Sequence, residues 1–181
     1  MQPLKLQGTH CTLRLWRMDD AESLVRQANN INVARQLRDR FPHPYGRANA
    51  SAFLKAATSA PEPSNLAIEV DSYAIGAIGY VAGVDVERYS AEIGYWLGEA
   101  YWGKGIATEA LTLMTAHVFG SMNLLRLFAL PFADNAGSIR VLEKAGYVRE
   151  ATLRSSSVKY GQPRDQLLYA RVNETWRGVS A

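Results

Sequence analysis

The sequence predicts an α+β fold: a mixed, mostly antiparallel sheet of about seven strands flanked by helices. Three observations carry this. Strand-like runs cluster between Leu66 and Leu97. Two helical patterns, one opening at Gly103-Lys104-Gly105 and one closing at Gly146, then alternate with a short apolar run, Leu125–Leu130. The chain ends on two further strand-like runs around Gly161-Gln162-Pro163.

Taken in order, Cys11–Trp16 alternates as a strand. Asp19 or Asp20 is placed to cap a helix reaching about Asn29, with Ala21, Leu24, Val25 and Ala28 at helical spacing. A short helix is expected over Ile31–Leu37. Phe41-Pro42-His43-Pro44-Tyr45-Gly46 reads as loop, because its prolines and glycine leave no regular ladder. Asn49 or Ser51 is expected to cap a third helix, which Ala60-Pro61-Glu62-Pro63-Ser64 ends. Strands follow at Leu66–Val70, Tyr73–Val84 and Ser90–Leu97, with turns at Asp71-Ser72 and near Asp85–Arg88. A long helix carries Ala107, Ala110, Leu111, Met114 and Val118 on its apolar stripe. Asn135–Ala145 is a helix stopped by Gly146. Tyr147–Leu153 and Gln166–Val172 make the closing pair.

The chain has 181 residues, 48% of them hydrophobic and 20% charged, which suits one packed domain over residues 1–181 and excludes a disordered chain. One cysteine, Cys11, excludes an internal disulfide framework and the multi-Cys zinc sites, so no metal is expected. Met1–Lys5 leads into no apolar signal segment, and the uncharged stretch Ser72–Val84 is too short and glycine-rich for a membrane helix. A cytoplasmic location without membrane contact is therefore expected. Charge is uneven. Residues 1–60 carry +5 (9 basic, 4 acidic), residues 61–120 carry −6 (2 and 8) and residues 121–181 carry +4 (9 and 5). The arginines are scattered and not interleaved with aromatics, which argues against nucleic acid and leaves a phosphate-bearing cofactor or an acidic partner.

The chemically informative stretch is Glu92-Ile93-Gly94-Tyr95-Trp96-Leu97, followed by Tyr101-Trp102-Gly103-Lys104-Gly105-Ile106-Ala107-Thr108-Glu109-Ala110. A strand runs into a two-glycine loop that opens a helix. The helix start offers unpaired N–H groups and partial positive charge. Gly103 and Gly105 let a diphosphate approach the backbone, Lys104 adds a cation and Thr108 a hydroxyl. The glycines stand too close for a P-loop, and Thr108 occupies the third glycine position of a dinucleotide fingerprint. On this loop alone, a plain helix-opening turn is the better reading than a pyrophosphate site.

Trp102-x-x-Gly105-x-Ala107 resembles the acyl-CoA pyrophosphate motif of the GNAT superfamily of N-acetyltransferases. The longer string from Tyr101 to Ala110 is similar to its RimJ/RimL branch, which acetylates ribosomal-protein N-termini. Asp134-Asn135-x-x-Ser138-Ile139-Arg140-Val141-Leu142-Glu143-Lys144-Ala145-Gly146-Tyr147, the early Leu13-Arg14-Leu15 and the closing Gly161…Asp165…Tyr169 agree with it. The resemblance runs from about Leu6 to Val172. It implies acetyl-CoA as co-substrate, a primary amine as acceptor, and a fourth and fifth strand splayed at the cofactor. It places the cofactor on Trp96, Leu97, Trp102, Gly103, Lys104, Gly105, Ile106, Ala107, Thr108, Asn135 and Ser138, with backbone N–H at Trp96-Leu97 polarising the thioester. Dimers are common in the superfamily, so a homodimer is implied, with no interface assigned.

The resemblance also puts a tyrosine seven residues after the asparagine in many members; here that position is Leu142. Ser138 takes over as candidate proton donor, with helix-face polarity as its bland reading. Glu92 is the candidate base, against an ordinary strand carboxylate. Asp165, whose hairpin position beside Arg164 or Lys159 favours a structural role, ranks lower, as do His43 and His117, and a water chain serves where no base exists. Cys11 reads as a small buried hydrophobe. A protein N-terminal α-amine is favoured as acceptor, because its pKa of about 7.7–8.0 leaves an appreciable neutral fraction at neutral pH. The alternatives are a small-molecule amine (antibiotic, polyamine or amino-acid derivative) and a non-catalytic acyl-CoA-binding module.

Overall fold

The computed structural model describes residues 4–178. Its elements are β1 (Lys5–Gln7), β2 (Thr12–Arg14), α1 (Ala21–Ala28), α2 (Ile31–Ala34), α3 (Arg47–Ser59), β3 (Asn65–Val70), β4 (Tyr73–Ala82), β5 (Ser90–Leu97), α4 (Ile106–Ser121), β6 (Arg126–Ala129), α5 (Ala136–Lys144), β7 (Val148–Lys159) and β8 (Gln162–Val172). They form one 8-stranded sheet in the order β1-β2-β3-β4-β5-β6-β8-β7. Every neighbouring pair is antiparallel except β5 and β6. That parallel pair needs a crossover, and α4 supplies it.

The expected architecture holds, with differences in detail. The sheet has one strand more than expected, because β1 is a three-residue edge without a periodic signature. Asp20 precedes α1, but its carboxylate accepts from the Arg14 guanidinium (2.7 and 2.8 Å) and the Arg17 N–H (2.8 Å), not from the helix. A buried arginine outcompetes a cap because an unpaired buried charge costs more than an unpaired N–H. Asn30 caps α2, which ends at Ala34, short of the expected Leu37. α3 starts at Arg47; Asn49 does not cap it but reaches back to accept the Gly46 N–H at 2.9 Å. The last hairpin is longer than expected on both strands.

Two cores sit on the two faces of the sheet. Under α4 and α5 lie Leu13, Ile93, Leu111, Met114, Leu127 and Leu142 with their neighbours. Under α1 and α3 lie Trp16, Leu24, Tyr45 and Leu54. Leu111 and Met114 are fully buried, and truncating either to Ala would cost about 2–5 kcal/mol. That anchoring fixes the direction in which α4 points its first turn.

Candidate functional site

The site is an opening in the sheet. β5 and β6 pair only at Ser90–Glu92 with Arg126–Phe128. Beyond them, Ile93–Leu97 remain paired with β4 alone. Gly98 donates to the Ile75 carbonyl and Gly83 to the Ser90 carbonyl, so the even-numbered residues of β5 make the β4 ladder. Alternation then turns the odd-numbered N–H and carbonyl groups, those of Ile93, Tyr95 and Leu97, toward the opening. The Tyr89 carbonyl, which accepts from Leu125 and Arg126, fits the same parity. Of the two positions expected to face the thioester, Leu97 presents its N–H to the opening and Trp96 turns its own toward Ala77 of β4. Tyr95 takes the place the sequence reading gave to Trp96. The Trp96 ring packs instead at 5.4 Å from Phe41.

The loop after β5 leads into α4. Gly103 and Gly105 have φ +75° and +78°, a left-handed backbone that L side chains adopt only at a cost, and a Cβ on either would meet nothing within 4 Å. The glycines are therefore required by conformation, and the space above them is open. Among the described residues no side chain caps α4, and the first intrahelical bond is Glu109 N–H to the Gly105 carbonyl. The N–H groups of Gly105 to Thr108 are left for a ligand. Ile106 is buried in the core, while Ala107 and Thr108 are half-buried at the first turn. The Trp102 indole donates to the Leu97 carbonyl at 2.8 Å, locking the loop onto the end of β5. Lys104 is exposed, its ammonium 5.4 Å from the Tyr101 ring.

Glu109, in the same motif, is a structural clamp. Its carboxylate accepts the N–H groups of Thr9, His10 and Cys11 at 2.7, 2.7 and 2.9 Å. Burial opposes ionisation there, but the three backbone donors outweigh it and hold the carboxyl below the usual carboxylate range. The turn between β1 and β2 is thereby tied to the first turn of α4. Cys11 beside it is buried, and that burial with the nearby Glu109 carboxylate pushes its thiol up to about 12. A thiol so held is neither thiolate nor nucleophile at neutral pH.

Asn135 caps α5, its Oδ1 accepting the Ser138 N–H at 3.1 Å. Leu142 is fully buried in the core. The Ser138 hydroxyl lies 2.9 Å from the Tyr95 hydroxyl, which also stands 3.2 Å from the Ser138 carbonyl. Burial, partly offset by the Ser138 hydrogen bond, holds the Tyr95 phenol well above its ordinary range, so it stays protonated. Sequence reasoning missed Tyr95. Its signal was the alternation of β5, which puts a phenol on the α5 face of the opening.

The opposite face carries Glu92, Gly94 and Trp96. Glu92 is half-buried and ion-paired with Arg38, a partner from the α2–α3 loop that sequence spacing did not reveal. Nothing lies within 4 Å of where a Cβ on Gly94 would stand, so this face is open between Glu92 and Trp96. Asp165 does not pair with Arg164 or Lys159. Its Oδ1 accepts the Ser155 N–H at 2.8 Å, which makes it a hairpin brace. Arg164 pairs with Asp134, and Lys159 with Asp39. His43 is exposed in the proline loop and His117 is half-buried on α4; neither makes a side-chain hydrogen bond among the described residues.

Among the described residues, no helix is long and apolar enough to cross a membrane. The chain is similar to the N-acetyltransferase YoaA of Bacillus subtilis, 36% identical over 98 residues, 54% of this chain and 55% of that protein. It is 35% identical over 83 residues to the ribosomal-protein-serine acetyltransferase of Escherichia coli, 46% of each chain. The chain thus spans about half the length of the curated relatives it matches. Mycobacterium smegmatis RimJ, solved in complex with a CoA disulfide, superposes with a TM-score of 0.82 at 26% identity, over 95% of this chain and 88% of that one. The model of the acetyltransferase (GNAT) domain matches residues 10–148. With the splayed strands and the uncapped helix start in place, the chain belongs to the GNAT acetyltransferase family.

Proposed function

We propose that this chain, acting as one domain, transfers the acetyl group of acetyl-CoA to a primary amine, and that the acceptor is a protein N-terminal α-amine. One observation carries the reading: the opened edge of β5 leads through a single short loop into the uncapped start of α4. An extended arm fits the first, and a diphosphate fits the second. The similarity to a ribosomal-protein-serine acetyltransferase supports the choice of acceptor.

Acetyl-CoA supplies an activated acetyl thioester. The N–H groups of Gly105 to Thr108, with Lys104, hold its diphosphate. The Leu97 N–H donates to the thioester carbonyl and stabilises the charge that develops there. The amine enters over Gly94, where the face is open, and attacks the carbonyl carbon directly. Its proton leaves to Glu92, once that carboxylate exchanges Arg38 for the amine, or to water. The Ser138 hydroxyl, held by Tyr95 and Asn135, gives the departing sulfur a proton and regains one from solvent. No residue forms a covalent bond to the acyl group.

The test is a peptide carrying both a free α-amine and an internal lysine, incubated with acetyl-CoA and read by tandem mass spectrometry. The reading expects acetyl on the α-amine. Transfer to the lysine, or to spermidine or free amino acids in preference to the peptide, would favour the small-amine alternative. Acetyl-CoA binding without transfer to any amine would make the chain an acyl-CoA-binding module. A cytoplasmic location and a homodimer belong to the same reading, and sedimentation at micromolar concentration tests the dimer.

A further inference from the structure

The two basic thirds of the chain, residues 1–60 and 121–181, meet at one cavity. It measures about 300 Å³ and lies between the loop after α2 and the β7–β8 hairpin, lined by Gln36, Arg38, Asp39, Leu130 and Lys159 among others. Leu130 follows the end of β6, two residues past its last pairing with β5. The cavity therefore abuts the diverging wall of the opening, and the Arg38–Glu92 pair links it to the face over Gly94.

Two of its groups are under-used. The Lys159 side chain is 3% exposed, yet its charge partner, Asp39, is a loop carboxylate that is 75% exposed and 2.7 Å away. A buried ammonium carries three N–H donors, and a water-screened partner compensates it weakly. The Gln36 side-chain Oε1 is buried without a hydrogen-bond partner among the described residues, a cost that buried acceptors ordinarily avoid. One wall thus wants an anion, and the other wants an N–H.

Resting on the transferase reading, we propose that this cavity selects acceptors whose amine is followed closely by a carboxylate, such as a peptide N-terminus with Asp or Glu at its second position. The acceptor carboxylate takes the place of Asp39 on Lys159, with Arg38 beside it. An acceptor N–H donates to Gln36 Oε1. This exchanges a solvent-screened ion pair for an enclosed one, and frees Asp39 to turn into water.

The experiment uses the full chain with acetyl-CoA and three peptides alike except at the second residue: Ser-Asp, Ser-Ala and Ser-Lys. Free glutamate is a fourth acceptor and separates a peptide source of the carboxylate from an amino acid. The expected kcat/KM for Ser-Asp exceeds that for Ser-Lys by about tenfold or more, mainly through KM, and the gap narrows with salt. Lys159→Met should bring Ser-Asp and Ser-Ala to the same kcat/KM, with acetyl-CoA affinity reporting that the variant is folded. Asp39→Asn, on an exposed loop, should raise kcat/KM for Ser-Asp and so tests the exchange even if Lys159 tolerates no substitution. Equal turnover of the three peptides by the wild type, or a preference for Ser-Lys, overturns the acidic-acceptor assignment and leaves the transferase reading intact. Acetyl-CoA binding with no acceptor turned over overturns both.

Discussion

The two sides of the opening are built on different principles. On the side proposed for the cofactor, the groups available for binding are backbone N–H of one continuous segment, from Leu97 to Thr108. Glycine, helix start and strand parity fix where they point, and almost any side chain can stand among them. On the side proposed for the acceptor, the groups are side chains drawn from four distant segments: Gln36 and Arg38, Glu92, Leu130 and Lys159. A backbone-built half tolerates sequence change as long as its dihedral angles survive. A side-chain-built half can change specificity by single substitutions.

The largest effect is expected where the backbone half is struck. Gly105→Glu puts a carboxylate into the open space above the α4 start, adds left-handed strain of about 1–2 kcal/mol, and should weaken acetyl-CoA binding at least about a hundredfold by calorimetry. Gly105→Ala carries the strain without the charge and should lose far less, so the pair separates conformation from electrostatics. Unchanged affinity in Gly105→Glu would remove the diphosphate from this helix.

Ser138→Ala is expected to lower kcat by about a hundredfold, the low end for a positioned general acid, with acetyl-CoA affinity nearly intact. Tyr95→Phe should cost about tenfold in kcat, because the phenol positions the serine and does not itself yield its proton. If both variants keep full kcat, solvent protonates the thiolate and the catalysis is alignment of amine and thioester.

On the acceptor half, Gly94→Leu fills the open patch between Glu92 and Trp96. It should raise the acceptor KM several-fold while leaving the acetyl-CoA dissociation constant alone. Equal movement of both constants would mean that the two halves are not separable.

The smallest effect is on stability. Glu109→Gln keeps an acceptor oxygen but loses the charge, and should cost about 1 kcal/mol by denaturant titration at neutral pH. The Glu109 carboxyl sits below its unfolded value, so its stabilisation is whole above about pH 4.3 and drains away as pH falls through the folded value. The gap between wild type and Glu109→Gln should therefore close in acid. A gap constant with pH would mean that the three N–H groups are not held by a charge.

This division also explains what could be read in advance. The glycine loop, the α4 start and the α5 helix opening at Asn135 were legible because each is a local pattern, whereas the splay followed only from the family resemblance. Strand β1 was not legible, since three edge residues, with only Leu6 half-buried, are too few to show a period. Leu97 and Trp96 were told apart only by register, which depends on where β4 pairs. Arg38 beside Glu92, 54 residues away, and Lys159 beside Asp39, 120 residues away, are products of tertiary packing without a sequence signature. Asp165 has the structural hairpin role its position suggests, but its partner, the Ser155 N–H, is set by an irregularity in the β7–β8 pairing that the sequence does not reveal.

The central claim is that the opening holds thioester and amine together, so that one attacks the other with no acyl-enzyme between them. Initial rates with acetyl-CoA and an acceptor peptide both varied test this most directly. Intersecting double-reciprocal lines are predicted, with release of CoA thiol only when the amine is present. Parallel lines, with a burst of thiol before any amine is added, would reveal a covalent acyl-enzyme and contradict the account.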